Sequence, residues 1–264
     1  MQPRQMSRAT RIVIGILRPF LTVLTRRDWR GAEYLPDEGF VLAANHVSHI
    51  DALTFGHFVV DNGLPPRYLA KASVLNFPVV SRLLSKTQQI PVYRGSANAA
   101  ESFKAAVDAV NEGAGVIFYP EGTITRDKDM WPMMGKTGAA RVSLMTGRPV
   151  IPAAQWGPNE ILAPYAKRVR LFPRKTMYVR VGPPVDLDDL RDQPITAESL
   201  NEATVRIMTA IAGLLGEIRG LPVPAERLPL HAPKPSFPAK TRRPRRSGRP
   251  PHSKQSDKRS KKES

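Results

Sequence analysis

Residues 39–51 read G-F-V-L-A-A-N-H-V-S-H-I-D, an apolar run from Phe40 to Ala44 that passes through Asn45 and His46 into a stretch ending on Asp51. A short apolar run bounded by glycine on one side and a polar turn on the other predicts a buried strand, with a helix beginning beyond the turn. The same alternation repeats outward. A helical pattern covers Ser96 to Glu112, G-V-I-F-Y follows at 115–119 and stops at Pro120, and further strands are expected at Val150 to Gln155 and Thr176 to Val181. Gly182-Pro183-Pro184 closes the last of these, and a helix is expected over roughly Thr196 to Ile218. Strands alternating with helices of this length predict an α/β sheet layered by helices.

The chain has 264 residues, enough for one such domain to bury a core without disulfide or metal support. It contains no Cys, which removes disulfides, thiolate metal sites and a cysteine acyl-enzyme, and fits a reducing compartment. The net charge of +17 sits at the two ends. Residues 1–31 carry seven Lys or Arg against Asp28, and residues 231–264 carry twelve against Asp257 and Glu263. The middle is nearly neutral, with 21 basic and 20 acidic residues. Two basic ends on a balanced domain point to an anionic partner, phospholipid or nucleic acid, and composition does not choose between them.

Three segments follow: a basic amphipathic segment at 1–31, the domain at 32–222, and a Pro/Lys/Arg-rich tail at 223–264. From Thr10 to Thr25 the apolar residues Ile12, Ile16, Phe20 and Leu24, with Val13, Leu17 and Leu21, fall on adjacent helical rows, while Arg11, Gly15, Arg18 and Thr22 occupy the other face. The stretch is too short and too interrupted by charge to span a bilayer, and Pro19 is expected to kink it. It reads either as a helix lying in the membrane interface or as one packed on the domain. The tail has almost no large apolar residues with which to offset its ordering entropy and is expected to be disordered.

Four stretches carry chemistry. In Asn45-His46-Val47-Ser48-His49-Ile50-Asp51 a helix start folds the chain back toward the strand end, so that Asp51 can orient the His46 imidazole and stabilise its charged form. That arrangement is half of a serine-hydrolase triad, with the hydroxyl supplied by a substrate. Ser48 and Asp51 also have the spacing of a capping box, which needs no catalysis. In Ile90-Pro91-Val92-Tyr93-Arg94, Arg94 stands where a guanidinium can grip a phosphate or simply be solvated. In Phe118-Tyr119-Pro120-Glu121-Gly122-Thr123, the glycine lets backbone approach a ligand, and Glu121 either binds substrate hydroxyls or caps a turn. Val150-Ile151-Pro152-Ala153-Ala154 reads, from its internal proline, as an edge strand or a strand start.

In this order and spacing the four stretches resemble the blocks of the glycerolipid and lysophospholipid acyltransferases, the family that includes bacterial 1-acylglycerol-3-phosphate acyltransferases. The resemblance covers roughly residues 40–220, and the first and third blocks are the specific ones. It implies a mixed β-sheet surrounded by helices, often preceded by helices that seat the enzyme on a membrane. It also implies that His46 is the catalytic base and Asp51 its partner, that Arg94 holds the acceptor phosphate, and that Glu121, Gly122 and Thr123 bind the acceptor. The third block continues Ile124-Thr125-Arg126 where many members have Arg directly after the Thr, leaving open whether Arg126 takes over a phosphate contact.

The reaction so implied moves a fatty acyl group from acyl-coenzyme A or acyl carrier protein, as substrate rather than cofactor, to the free hydroxyl of 1-acylglycerol-3-phosphate. It gives phosphatidic acid at the cytoplasmic face of the cell membrane and needs no metal. Another lysophospholipid or glycerol-3-phosphate is the alternative acceptor. A nucleic-acid-binding protein acting through its basic tail is the competing class. Against it, Phe237 is the tail's only aromatic for base stacking, and the neutral middle carries no groove-reading motif.

Overall fold

All five residues of strand β2 (Phe40–Ala44) are buried, because helices cover both faces of the sheet at its centre. The computed structural model describes residues 6–71, 82, 85–92 and 99–233. Helix α1 (Arg8–Leu24) runs directly into β1 (Thr25–Arg30); after β2 come α2 (Asp51–Asp61), β3 (Arg67–Lys71), β4 (Ile90–Val92), α3 (Ala99–Asn111) and β5 (Gly115–Phe118). Then follow α4 (Gly138–Thr146), β6 (Val150–Trp156), the short α5 (Pro158–Ile161), β7 (Lys175–Val181), the short α6 (Asp188–Arg191) and α7 (Ala197–Arg219).

The strand order is β1-β7-β6-β2-β5-β3-β4, and every neighbouring pair is parallel except β6 with β7. The mixed sheet surrounded by helices is therefore present. On one face Val41, Ala43, Val116 and Phe118 pack against α3, α4 and α7; on the other Phe40, Leu42, Ile117 and Ile151 pack against Phe55 and Phe58 of α2. Helix α7 shows why its sequence folds: Thr196 and Ser199 form a reciprocal capping box, Leu200, Ile207, Ile211 and Leu215 make a buried stripe, and Gly220 ends the helix at φ +61°.

Two expectations change. Strand β6 is interior, between β2 and β7, rather than an edge. Its proline is tolerated because the Pro152 carbonyl accepts from the Gly182 N–H, the first residue past β7, so the missing N–H falls where the partner strand has ended. The first residues of the expected tail also run along the domain: Met134 N–H donates to the Leu228 carbonyl, and Arg126 reaches the carbonyls of Leu230 and Ala232. Residues 234–264 lie outside the described part.

Helix α1 divides its apolar stripe between α2 and solvent. Val13, Leu17 and Leu21 turn toward α2, while Ile12, Ile16, Phe20 and Val23 remain exposed. Pro19 lies inside the helix. The helix is held to the domain by Arg18 on Asp61 at 2.7 Å, with Arg27 on the same carboxylate at 3.0 Å. Among the described residues no helix is long and apolar enough to cross a membrane.

Candidate active site

Strands β2, β5 and β6 run parallel, so the turns that follow them collect at one edge of the sheet, outside the carboxyl ends where α/β sheets place ligands. The turn after β2 brings His46 Nδ1 to 2.7 Å from Asp51 Oδ2. A carboxylate only accepts, so Nδ1 carries the hydrogen and Nε2 is left as the basic atom. The same Asp51 oxygen accepts from the N–H of Val47 at 2.6 Å and of Ser48 at 2.9 Å. The Asp51 side chain is fully buried while that of His46 is 21% exposed, so the orienting group is sealed and the imidazole stays reachable.

Half of the capping box read for Ser48 and Asp51 is present: Asp51 Oδ2 accepts from the Ser48 N–H, but the Asp51 N–H donates to the Ser48 carbonyl rather than to its hydroxyl. The N-cap of α2 is Ile50, with no side-chain cap, and the Ser48 hydroxyl donates instead to the Leu162 carbonyl at 2.7 Å. The carboxylate of Asp51 folds back onto the preceding turn rather than forward into its helix.

Glu121, in the turn after β5, is also buried, and its two oxygens accept from the backbone N–H of His46 at 2.9 Å and of Met133 at 3.0 Å. Burial pushes its carboxyl up to about 8 despite those two donors. Its place is thus behind the His46 backbone, with both oxygens engaged by main-chain donors. Thr125 completes the tie, its N–H donating to the His46 carbonyl at 2.8 Å and its hydroxyl to the Trp131 carbonyl at 2.7 Å. Gly122 has φ +67°, and a Cβ there would stand 3.2 Å from the Lys136 side chain. Thr123 is half-buried beside it. The Arg126 guanidinium donates to the Ala232 carbonyl at 2.6 Å, which engages it with the chain's own 228–232 segment. Arg94 lies outside the described residues.

Sequence reasoning missed the supports of the imidazole. Tyr119 stacks on His46 with ring centroids 4.5 Å apart, and Tyr68 stacks on Tyr119 at 6.1 Å. Burial pushes both phenols above their ordinary range, so they remain neutral. Gln155, at the end of β6, clamps Asn45 with three hydrogen bonds of 2.8–3.1 Å: its N–H to Asn45 Oδ1, its Nε2 to the Asn45 carbonyl, and Asn45 Nδ2 to its carbonyl. The aromatic before Pro120 and the amide after the β6 apolar run were visible signals, yet no spacing rule couples them to a residue on another strand.

Between α1 and α2 lies a cavity of about 220 Å³ lined by Val13, Leu17 and Leu21 on one side and Ala52, Gly56 and Tyr68 on the other. Of its lining residues Ala52 directly follows Asp51 in the chain, and the Ala52 carbonyl accepts from Tyr68 Oη at 2.9 Å.

A reachable imidazole held by a buried carboxylate beside an apolar slot fits base-assisted attack of a hydroxyl on an acyl group, and the sequence comparison agrees. A model of the acyltransferase family matches residues 26–156, about half the chain, from β1 to the end of β6. The chain belongs to the acyltransferase family. A chloroplastic 1-acyl-sn-glycerol-3-phosphate acyltransferase of Brassica napus is 29% identical over 187 residues, which is 67% of this chain and 51% of the Brassica protein. The Bacillus subtilis 1-acyl-sn-glycerol-3-phosphate acyltransferase is 29% identical over 163 residues, 61% of this chain and 75% of its own. The chain therefore spans about half the length of the Brassica relative and three quarters of the Bacillus one. The crystal structure of a 1-acyl-sn-glycerophosphate acyltransferase from Thermotoga maritima matches 80% of this chain and 81% of that one with a TM-score of 0.58. At 19% identity that likeness shows the acyltransferase fold.

Proposed function

We propose that the protein transfers a fatty acyl group from an acyl thioester to the free hydroxyl of 1-acylglycerol-3-phosphate, giving phosphatidic acid. The observation that carries this reading is the 2.7 Å contact between His46 and the buried Asp51, which leaves Nε2 as the one basic atom of an accessible ring. Nε2 takes the proton of the acceptor hydroxyl as its oxygen attacks the thioester carbonyl; Asp51 stabilises the imidazolium. The C–S bond then breaks, and the imidazolium proton goes to the departing thiolate, so no acyl-enzyme is needed. The names of the Brassica and Bacillus relatives support the acceptor. The apolar slot between α1 and α2 supports an acyl chain as the moiety held next to the dyad, and the exposed half of the α1 stripe supports a peripheral seat on the cytoplasmic side of the cell membrane, where acceptor and product reside.

The test is product identity. Purified protein is given labelled acyl-coenzyme A, or the acyl carrier protein thioester, with 1-acylglycerol-3-phosphate, glycerol-3-phosphate and neutral lysophospholipids in mixed vesicles, and labelled lipids are separated. Label in phosphatidic acid is expected. Label only in free fatty acid, or only in an acylated lysophospholipid, contradicts the reading.

A further inference from the structure

Residues 167–174 read K-R-V-R-L-F-P-R, and all eight are exposed, Phe172 at 76% and Val169 at 53%. From residue 161 to 185 the chain has no Asp or Glu, while Lys167, Arg168, Arg170, Arg174 and Lys175 fall within that span. Cations interleaved with unburied large hydrophobes have two requirements at once, an anionic counter-surface and an apolar one.

The topology fixes where this loop stands. Helix α1 leads into β1, the loop leads into β7, and these strands are parallel with Thr25 opposite Lys175, so the end of α1 and the end of the loop lie side by side. Arg174 joins them, donating to the carbonyls of Thr22 at 2.9 Å and Thr25 at 2.6 Å. The exposed row Ile12, Ile16, Phe20 and Val23 of α1 thus has a second apolar element beside it. Because β6 and β7 are the antiparallel pair, the loop between them also lies at the carboxyl edge of the sheet, with the catalytic turn. Two hydrogen bonds root it there: Ser48 Oγ to the Leu162 carbonyl at 2.7 Å and Tyr165 Oη to the Ile124 carbonyl at 2.8 Å.

We propose that the 167–174 loop is a second lipid-contacting element, entering an anionic bilayer surface beside α1 and presenting the His46 edge of the sheet to the headgroup layer. The occupant is lipid rather than nucleic acid because Val169, Leu171 and Phe172 would bury nothing among phosphates, whereas the headgroup and acyl boundary supplies both surfaces. The proposal rests on the reading that the acceptor is a membrane lipid.

The chain has no Cys, so single-cysteine variants accept an environment-sensitive fluorophore at one place each. Phe172→Cys tests the loop, Phe20→Cys tests α1, and Met145→Cys, exposed on α4 across the sheet, is the control. With vesicles of equal phosphatidylglycerol and phosphatidylcholine, blue-shifted emission is expected at positions 172 and 20 and none at 145. Replacing Leu171 and Phe172 together by Ser should lower vesicle partitioning about tenfold or more, with acylation of a monomeric short-chain acceptor unchanged. A response at 20 with silence at 172 overturns the loop's role and leaves the α1 seat standing. Silence at both removes the membrane reading with it, and a 172 signal given by acyl carrier protein or a DNA duplex but not by vesicles assigns the surface elsewhere. Activity of the same samples on the monomeric acceptor reports independently on the acyltransferase reading.

Discussion

Two buried carboxylates lie within one turn of His46, and they do different work because of what faces them. Asp51 meets the ring: it fixes the tautomer and, in the proposed mechanism, lies opposite the charge that develops when Nε2 takes a proton. Glu121 meets no ring: it accepts from the backbone N–H groups of His46 and Met133, with the Thr125 side chain beside it. In the proposed mechanism the turn after β2 carries the reaction, and the turn after β5 holds the turn after β2 in place. A carboxylate in a catalytic block is therefore assigned by its partners, since burial and proximity are shared by both.

Asp51→Asn should break the first role most strongly. It keeps the shape but removes the charge opposite the imidazolium and offers an amide that can select the wrong tautomer, so turnover should fall by about 10²–10⁴-fold while the protein stays folded by circular dichroism. Glu121→Gln should cost less. The new amide nitrogen opposes one of two backbone donors, which removes a buried hydrogen bond worth about 1–3 kcal/mol and loosens the His46 backbone. A fall of about 10–100-fold in kcat is expected, with KM for the acyl donor little changed. If Glu121→Gln cost as much as Asp51→Asn, or raised only KM for the acceptor, Glu121 would be a substrate ligand and the contrast would fail. Tyr119→Leu removes the ring stacked on His46 and should lower kcat by about tenfold at most, as aromatic pairs are worth about 0.5–1.5 kcal/mol beyond area.

The smallest effect is a slope. The Glu121 carboxyl is raised from an ordinary value of 4.5 to about 8, so its neutral form is favoured by folding. Its contribution is fully present below about 4.5 and is lost as pH rises through about 8. Denaturant midpoints measured across that window should decline with pH in the wild type and decline less in Glu121→Gln. Equal slopes would mean that the carboxylate is already ionised in the native protein at neutral pH.

The local pattern made much of this legible. The F-V-L-A-A run is β2, G-V-I-F lies in β5, the expected helix from Thr196 is α7, and the strand expected from Thr176 is β7 with one more residue at its start. Strand β1 was not legible: T-R-R-D-W-R carries four charges in six residues and no alternation, and it is a strand because its backbone pairs with β7 at the sheet edge. The pairing of His46 with Asp51 could be read from spacing, since both belong to one turn. The stacking of Tyr119, the clamp of Gln155 on Asn45 and the inward turn of Glu121 could not, because each joins residues on different strands, and only register decides which of them meet. The apolar stripe of α1 was visible, but its division between a slot and solvent depends on where α2 lies.

The central claim is that His46 is the base. Acyl transfer from labelled acyl-coenzyme A to 1-acylglycerol-3-phosphate, followed by single-turnover and steady-state rates for wild type and His46→Ala on the same vesicles, tests it most directly. Loss of nearly all turnover in a folded His46→Ala protein that still binds vesicles is the predicted result; wild-type rates in that variant would contradict it.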